Sequence, residues 1–260
     1  MDFRVLGSFG GDSPVCRMTS FLIDGAVVVD AGAITRALSI DEQRKIRHVL
    51  ISHTHMDHTA TLPFLIENIF GTHPEPVSIY CAKRALGAVR RHLFNTDTWP
   101  DFTRIPDHVE PSVRFHEIVA EEPFTITGLP GGDLEITAIP VDHIVPTTAF
   151  LLRQGSSSVI FTSDTGPTDR IWQVANQTTD LKALITECSF PNRMQAVADI
   201  SLHLTPKTLA AELAKLDCDV PVLVYHFKPP YVDELRKELF SETALPCSVE
   251  ELVQDRTYQF

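Results

Sequence analysis

Several features that mark other classes of protein are scarce or missing in this 260-residue chain. Lysine and arginine total 22 against 34 aspartates and glutamates, a net charge of −12, whereas gripping a nucleic-acid backbone requires clustered cations. No apolar run approaches the length of a membrane span. The first residues also lack the basic region and apolar stretch of a signal peptide. We therefore predict a cytoplasmic protein that associates with no membrane, and the charge argues against nucleic acid as a partner.

Cysteine is also scarce, and its pattern excludes a disulfide framework. The five cysteines are scattered and odd in number, which is typical of reduced thiols. Hydrophobic residues, by contrast, make up 43% of the chain, enough to bury a large core. At this length we expect one compact domain that spans residues 1–260.

Histidine is concentrated in one place. Three histidines and an aspartate lie within the six residues His53-Thr54-His55-Met56-Asp57-His58, directly after the apolar run Val49-Leu50-Ile51. Side chains at i, i+2 and i+4 of an extended segment share one side, so we expect His53, His55 and Asp57 to lie together. A turn at His58 would then direct one more imidazole to a second centre. Imidazole and carboxylate suit zinc first, and also manganese or iron.

Three further candidate ligands lie where predicted strands end. His143, Asp164 and His226 each follow an apolar, strand-like segment. Two coordination spheres are predicted, with Asp164 as a bridge between them: His53, His55 and His143 for one ion, and Asp57, His58 and His226 for the other. Each sphere keeps open positions for water and substrate, as a catalytic rather than a structural site requires.

The order of predicted elements indicates two sheets with helices packed outside. Strands are predicted at Phe3–Gly7, Ser20–Ile23, Ala26–Asp30, His48–Ile51, Val77–Tyr80, Val113–Glu117, Phe124–Ile126, Leu134–Pro140, Thr148–Arg153, Val159–Thr162, Ala183–Glu187 and Val222–Tyr225. Helices are predicted at Ala33–Lys45, Leu62–Phe70, Lys83–Phe94, Thr168–Asn176, Pro206–Leu216 and Val232–Leu239.

These motifs together resemble the metallo-β-lactamase superfamily over nearly the whole chain. Within it, the sequence looks most like the class II 3′,5′-cyclic-nucleotide phosphodiesterases. The matching segments are Asp30-Ala31-Gly32, the histidine loop, Leu62-Pro63-Phe64-Leu65, Trp99-Pro100-Asp101-Phe102, Ser163-Asp164-Thr165-Gly166, His203-Leu204-Thr205-Pro206 and Tyr225-His226-Phe227-Lys228-Pro229. The resemblance implies an α/β fold, an αββα sandwich of two mixed β-sheets flanked by helices.

The resemblance also implies an activity. Two divalent ions per chain would hold a hydroxide that converts cyclic AMP or cyclic GMP, small anionic phosphodiesters, into 5′-monophosphates. Asp57 is then both ligand and catalytic residue, and His203, outside the seven ligands, binds phosphate or protonates the leaving oxygen. Glu187 would orient a neighbouring histidine, unless its role is only structural. Trp99 and Phe102 would either stack on a purine or anchor their own loop. A homodimer is expected from the resemblance alone.

Other functions use the same ligands. A tRNA 3′-processing endonuclease shares the metals and His203, but it needs a basic RNA-gripping insertion that this acidic chain does not show. Another phosphoesterase, a thioesterase or a lactonase also fits the fold. A non-enzymatic di-metal sensor is a different class of function.

Overall fold

Two mixed β-sheets form the centre of the molecule, which is described by a computed structural model over residues 1–72 and 75–260. The first sheet contains β1 (Asp2–Gly7), β2 (Ser20–Ile23), β3 (Val27–Val29), β4 (His48–Ile51), β5 (Val77–Ala82), β6 (Val113–Ile118) and β14 (Thr257–Gln259). The second contains β7 (Phe124–Ile126), β8 (Leu134–Val141), β9 (Thr147–Gln154), β10 (Ser157–Phe161), β11 (Leu181–Glu187), β12 (Val222–Tyr225) and β13 (Val249–Glu251). Their spatial orders are β14-β1-β2-β3-β4-β5-β6 and β13-β12-β11-β10-β9-β8-β7.

Helices cover the outer face of each sheet. They are α1 (Ile34–Ala37), α2 (Ile40–Gln43), α3 (Met56–Thr59), α4 (Leu62–Ile69), α5 (Lys83–His92), α6 (Arg170–Gln177), α7 (Gln195–Ser201), α8 (Pro206–Leu213) and α9 (Val232–Lys237). The apolar faces of α1, α4 and α5 pack on the first sheet, and those of α6, α8 and α9 pack on the second. None of the helices in the described ranges is long and apolar enough to cross a membrane.

Aromatic side chains join the inner faces of the two sheets. The Phe21 ring of β2 lies 5.2 Å from that of Phe161 on β10 and 5.6 Å from that of Tyr225 on β12, between ring centroids. Strand β4 is buried on both sides, because Leu50 faces this inner core while Val49 and Ile51 face the helices. The layers are therefore helix, sheet, sheet, helix, which confirms the predicted αββα sandwich.

Strand direction explains where polar side chains gather. Strands β3 and β4 run parallel, and so do β10, β11 and β12. Strand β8 shares the direction of β10, because both pair antiparallel with β9. The carboxyl ends of parallel strands meet at one edge, the usual location of sites in α/β sheets.

The predicted helix Ala33–Lys45 is wrong in one respect, because two short helices, α1 and α2, replace it. Ser39 interrupts the segment: its hydroxyl accepts a hydrogen bond from the Glu42 amide, and the Glu42 carboxylate accepts one from the Ser39 amide. This capping box starts a new helix. The sequence prediction also missed α3, α7, β13 and β14. As predicted, all five cysteines are free thiols.

Candidate metal centre

The histidine loop changes conformation at its midpoint. His53 and His55 are in extended backbone after β4, but α3 begins at Met56, so Asp57 and His58 lie on a helical turn. The expectation that Asp57 shares a side with His53 and His55 is therefore wrong. Instead, Asp57 Oδ2 lies 3.3 Å from His226 Nε2. Helix formation at this point divides the loop between two groups of potential ligands.

The seven predicted ligands meet at the carboxyl edge of the sheets as two groups. Within each group, one potential ligand atom per residue lies within 4.8 Å of all the others. The groups are His53, His55, His143 and Asp164, and Asp57, His58, Asp164 and His226. Asp164 belongs to both, as expected for a bridge.

Asp164 is surrounded by imidazole nitrogens. Its Oδ1 lies 3.3 Å from His58 Nε2, and its Oδ2 lies 3.3 Å from His226 Nε2 and 3.7 Å from His53 Nε2. Both carboxylate oxygens and His53 Nε2 are buried without a hydrogen-bond partner among the described residues. Buried polar atoms are normally satisfied. Divalent cations between Asp164 and the imidazoles would satisfy them, and the mixed nitrogen and oxygen donor set suits such cations.

The pKa shifts of three histidines and of Asp164 are consistent with a ligand role. Burial, with the nearby His58 imidazole, holds the pKa of His53 well below its usual value, so His53 is neutral and offers a lone pair. Burial also lowers the pKa of His143 and of His226. Burial alone would raise the pKa of Asp164, but its interactions with the His226 and His58 imidazoles hold it well below the ordinary value. The carboxylate is therefore ionised.

Asp30 holds His58 in one orientation. The His58 Nδ1–H donates to Asp30 Oδ2 over 2.7 Å, and Ser52 donates to the same carboxylate from its hydroxyl at 2.7 Å and its amide at 2.8 Å. This leaves His58 Nε2 directed at Asp164. Burial opposes protonation of His58, but Asp164 and Asp30 raise its pKa well above the usual value, and a divalent cation would take the place of the Nε2 proton. Gly32 permits the arrangement, since a Cβ there would lie 2.2 Å from the Asp57 carbonyl oxygen. The Asp30-Ala31-Gly32 motif is visible in the sequence, but the role of Asp30 was not predicted from it.

Replacing Asp30 with Asn should weaken metal binding without removing a ligand. Asn keeps the volume but loses the charge that holds the His58 tautomer, so we expect metal affinity to fall by roughly 10- to 100-fold. Competition with a chromogenic chelator measures this. Asp133→Asn, at an exposed carboxylate before β8, is the control. Unchanged affinity in Asp30→Asn would mean that Asp30 does not position His58.

His203 and Glu187 form a second polar pair beside the seven candidate ligands, which together are called the cluster. His203 Nδ1 donates to Glu187 Oε1 over 2.7 Å. The Ser189 hydroxyl donates to Glu187 Oε2 at 2.7 Å and accepts from His226 Nδ1 at 2.9 Å. A hydrogen-bonded chain therefore runs from His226 through Ser189 and Glu187 to His203. Ser189 was not predicted as a site residue, because no pattern in the sequence distinguishes it from other serines.

The charge state of His203 follows from this pairing. Burial disfavours the imidazolium, but the Glu187 carboxylate outweighs burial and raises the pKa of His203 above its usual value. Glu187 therefore stabilises the protonated form of His203, the form that can donate a proton. Its ring lies 5.5 Å from that of His226 and 4.9 Å from that of His143, between centroids. Glu187 is hydrogen-bonded to a histidine, and its role in orienting that histidine stays a prediction.

The two aromatic residues proposed to contact substrate differ in how deeply their side chains are buried. Phe102 is 4% exposed, and its ring contacts Phe70 and Phe94 in the core under the first sheet. The idea that Phe102 stacks on a purine is therefore wrong, because its faces are covered. Trp99 is half-buried and meets Phe64 edge-on, 4.9 Å between centroids. Its contact with a substrate stays a prediction.

Four of the eight non-glycine residues with positive φ among the described residues lie at this edge. Asp30, Ser163, Leu202 and His226 have φ values of 57°, 58°, 50° and 71°, a region that L-residues with a side chain rarely adopt. His226 is a proposed ligand, Asp30 holds His58, Ser163 precedes Asp164 in the chain, and the Leu202 carbonyl accepts a hydrogen bond from His143 Nδ1 over 2.9 Å. Strain held in place by the surrounding fold is typical of functional sites.

Comparisons with known proteins identify the family and the fold. The profile of the family described as "Beta-lactamase superfamily domain" matches residues 21–227. The fold is similar to the metallo-β-lactamase fold protein YhfI from Bacillus subtilis (TM-score 0.76, 17% identity, 99% of each chain covered). It is also similar to yeast PDE1 (TM-score 0.81, 17% identity, 98% of each chain covered). A third similar structure is the short form of human tRNase Z (TM-score 0.69, 17% identity, 100% of this chain and 99% of that chain covered). A search of curated proteins found no significant match. This chain belongs to the β-lactamase superfamily domain family and has the metallo-β-lactamase fold.

Proposed function

We propose that this metal-dependent hydrolase cleaves 3′,5′-cyclic nucleotides to 5′-monophosphates with two divalent ions, zinc being the first candidate. The observation that carries the proposal is Asp164, a buried carboxylate shared by two ligand groups, beside the His203–Glu187 pair. Two adjacent ions suit phosphodiester chemistry, and a protonated histidine suits an alkoxide leaving group. The motif resemblance to class II cyclic-nucleotide phosphodiesterases and the fold likeness to yeast PDE1 support this substrate class.

Residues of this chain supply the positioning and the proton. When bound, two divalent ions would polarise the phosphoryl oxygens and lower the pKa of a coordinated water. Asp57 is 18% exposed, so its carboxylate can orient the attacking water by a hydrogen bond. Burial opposes its ionisation, but the hydrogen bond with His226 and the nearby imidazoles lower its pKa, so Asp57 is ionised. His203 gives its proton to the departing ribose 3′ oxygen, and Glu187 stabilises that proton beforehand.

A substrate panel tests the proposal. Metal-loaded protein is assayed with cyclic AMP, cyclic GMP, a precursor tRNA, a thioester and a lactone. We expect the highest kcat/KM with a cyclic nucleotide. A preference for precursor tRNA would identify a tRNA-processing nuclease, and a preference for the thioester or lactone would exclude phosphodiester hydrolysis as the main activity.

Metal stoichiometry is predicted to be two per chain. Seven potential ligands in two overlapping groups exceed the four of one tetrahedral zinc. Elemental analysis after metal loading and gel filtration should give close to two equivalents. A firm value of one, unchanged when more metal is added, would exclude the two-ion arrangement.

A further inference from the structure

A lysine lies at the accessible edge of the ligand cluster. Lys228 Nζ is 3.5 Å from Asp57 Oδ2, and the two side chains are 21% and 18% exposed. That contact is longer than the roughly 2.7–2.9 Å of a charge-assisted hydrogen bond. An ammonium has three donors, so this single long contact leaves most of its hydrogen-bonding capacity for another group.

Hydrogen bonds hold the backbone from which this lysine projects. The Lys228 amide donates to the Ser189 carbonyl oxygen over 3.3 Å, and the Lys228 carbonyl accepts from the Tyr231 amide at 2.9 Å. Gly10 leaves room for the side chain, since a Cβ there would lie 2.8 Å from Lys228 Nζ and 2.6 Å from His226 Cε1. The Lys228 ammonium therefore lies near the His226 ring, at the edge of the cluster.

Charge indicates what the ammonium would bind. Four carboxylates, Asp30, Asp57, Asp164 and Glu187, lie in the cluster or are hydrogen-bonded to its histidines. Two divalent cations would balance these four negative charges, so that Lys228, together with the protonated His203, would leave the mouth of the site positive. An anion is favoured there over a neutral group.

We propose that Lys228 binds a non-bridging oxygen of the substrate phosphate and so selects anionic phosphodiesters over neutral esters. This inference rests on the proposed function and adds a specificity residue to it. Ligation of metal by the seven histidines and aspartates does not require Lys228, so its contribution appears in substrate binding.

The test replaces Lys228 in the metal-loaded enzyme. Lys228→Met should raise KM for cyclic AMP by roughly 10- to 100-fold, the range for a lost hydrogen bond to a charged group, with kcat changed less and metal content kept. Lys228→Arg, which restores the charge, should recover part of the loss. Lys182→Met is the matched control: it removes the same charge at an exposed position on β11, towards the amino end of the strand and away from the cluster. KM of Lys182→Met should equal that of the wild type.

A binding measurement separates this inference from the proposed function. Calorimetry with inorganic phosphate on metal-loaded protein should show weaker binding in Lys228→Met than in wild type and Lys182→Met. If the wild type cleaves no cyclic nucleotide, the proposed function fails, while weaker phosphate binding would still uphold Lys228 as an anion-binding residue. Equal phosphate affinity in all three proteins would overturn the inference. Loss of metal from Lys228→Met would also overturn it, because Lys228 would then act by supporting Asp57.

Discussion

Replacing Asp164 with Ala is expected to weaken both metal sites together and to reduce turnover by orders of magnitude. Asp164 is 1% exposed, and each of its oxygens lies 3.3 Å from a histidine nitrogen of the cluster. Without it, His53, His58 and His226 face one another with no shared anion. The loss should exceed the roughly 10- to 100-fold effect of removing a residue that only supports a ligand.

Two companion variants make the Asp164 experiment specific. Asp164→Asn keeps the volume and removes the charge, so it separates loss of the bridge from a cavity in the core. Asp133→Ala removes an exposed carboxylate away from the cluster and should change neither metal content nor turnover. Metal content is read by elemental analysis and folding by circular dichroism. Two tightly held ions and near-normal turnover in folded Asp164→Ala would show that Asp164 bridges nothing.

Replacing His203 with Ala is expected to leave the metals in place and to lower turnover by roughly two to four powers of ten, the usual range for a general acid. The loss should shrink with a p-nitrophenyl phosphodiester, whose leaving group needs little protonation. His108→Ala, at an exposed histidine, is the control. Loss of metal would make His203 a ligand, as its proximity to Glu187 and His226 permits. An equal loss with both substrates would favour phosphate binding over proton donation.

The pH dependence of turnover is a second test of the role of His203. Glu187 raises the pKa of His203 against the effect of burial, so the acid form persists above the usual histidine range. Turnover should therefore fall on the alkaline side, as pH rises through that raised pKa. Glu187→Gln removes the stabilising charge, lowers the pKa of His203 and should move this alkaline limb to lower pH. If the alkaline limb of the profile stays in place in Glu187→Gln, the fall in turnover reports the titration of another group.

Strong local patterns made much of the fold predictable. Strands β2, β4, β7 and β12 begin and end at the predicted residues, because short apolar runs bounded by turn residues leave little choice. The helix after Thr205 was also predictable, since Thr205 caps it and Pro206 occupies its first turn. The C-terminal strands β13 and β14 were missed, because their short, mostly polar segments pair only at sheet edges.

The candidate metal ligands could be predicted from the sequence, but the residues that hydrogen-bond to them could not. Histidine and aspartate at strand ends are a distinctive signal, and the structure brings all seven together. Asp30, Ser52 and Ser189 act through hydrogen bonds to residues far away in the chain, and no spacing encodes such contacts. Phe102 was misassigned because an aromatic residue in an irregular segment has the same appearance in the sequence whether it faces solvent or, as here, the core.

One titration tests the proposed two-ion phosphodiesterase activity directly. Metal-free protein receives increasing zinc or manganese while cyclic AMP hydrolysis is followed and the product is identified by chromatography. We expect activity to rise to a plateau at two equivalents per chain and the product to be 5′-AMP. Two tightly bound equivalents with cyclic AMP left intact, or with 3′-AMP as the product, would contradict the proposed reaction.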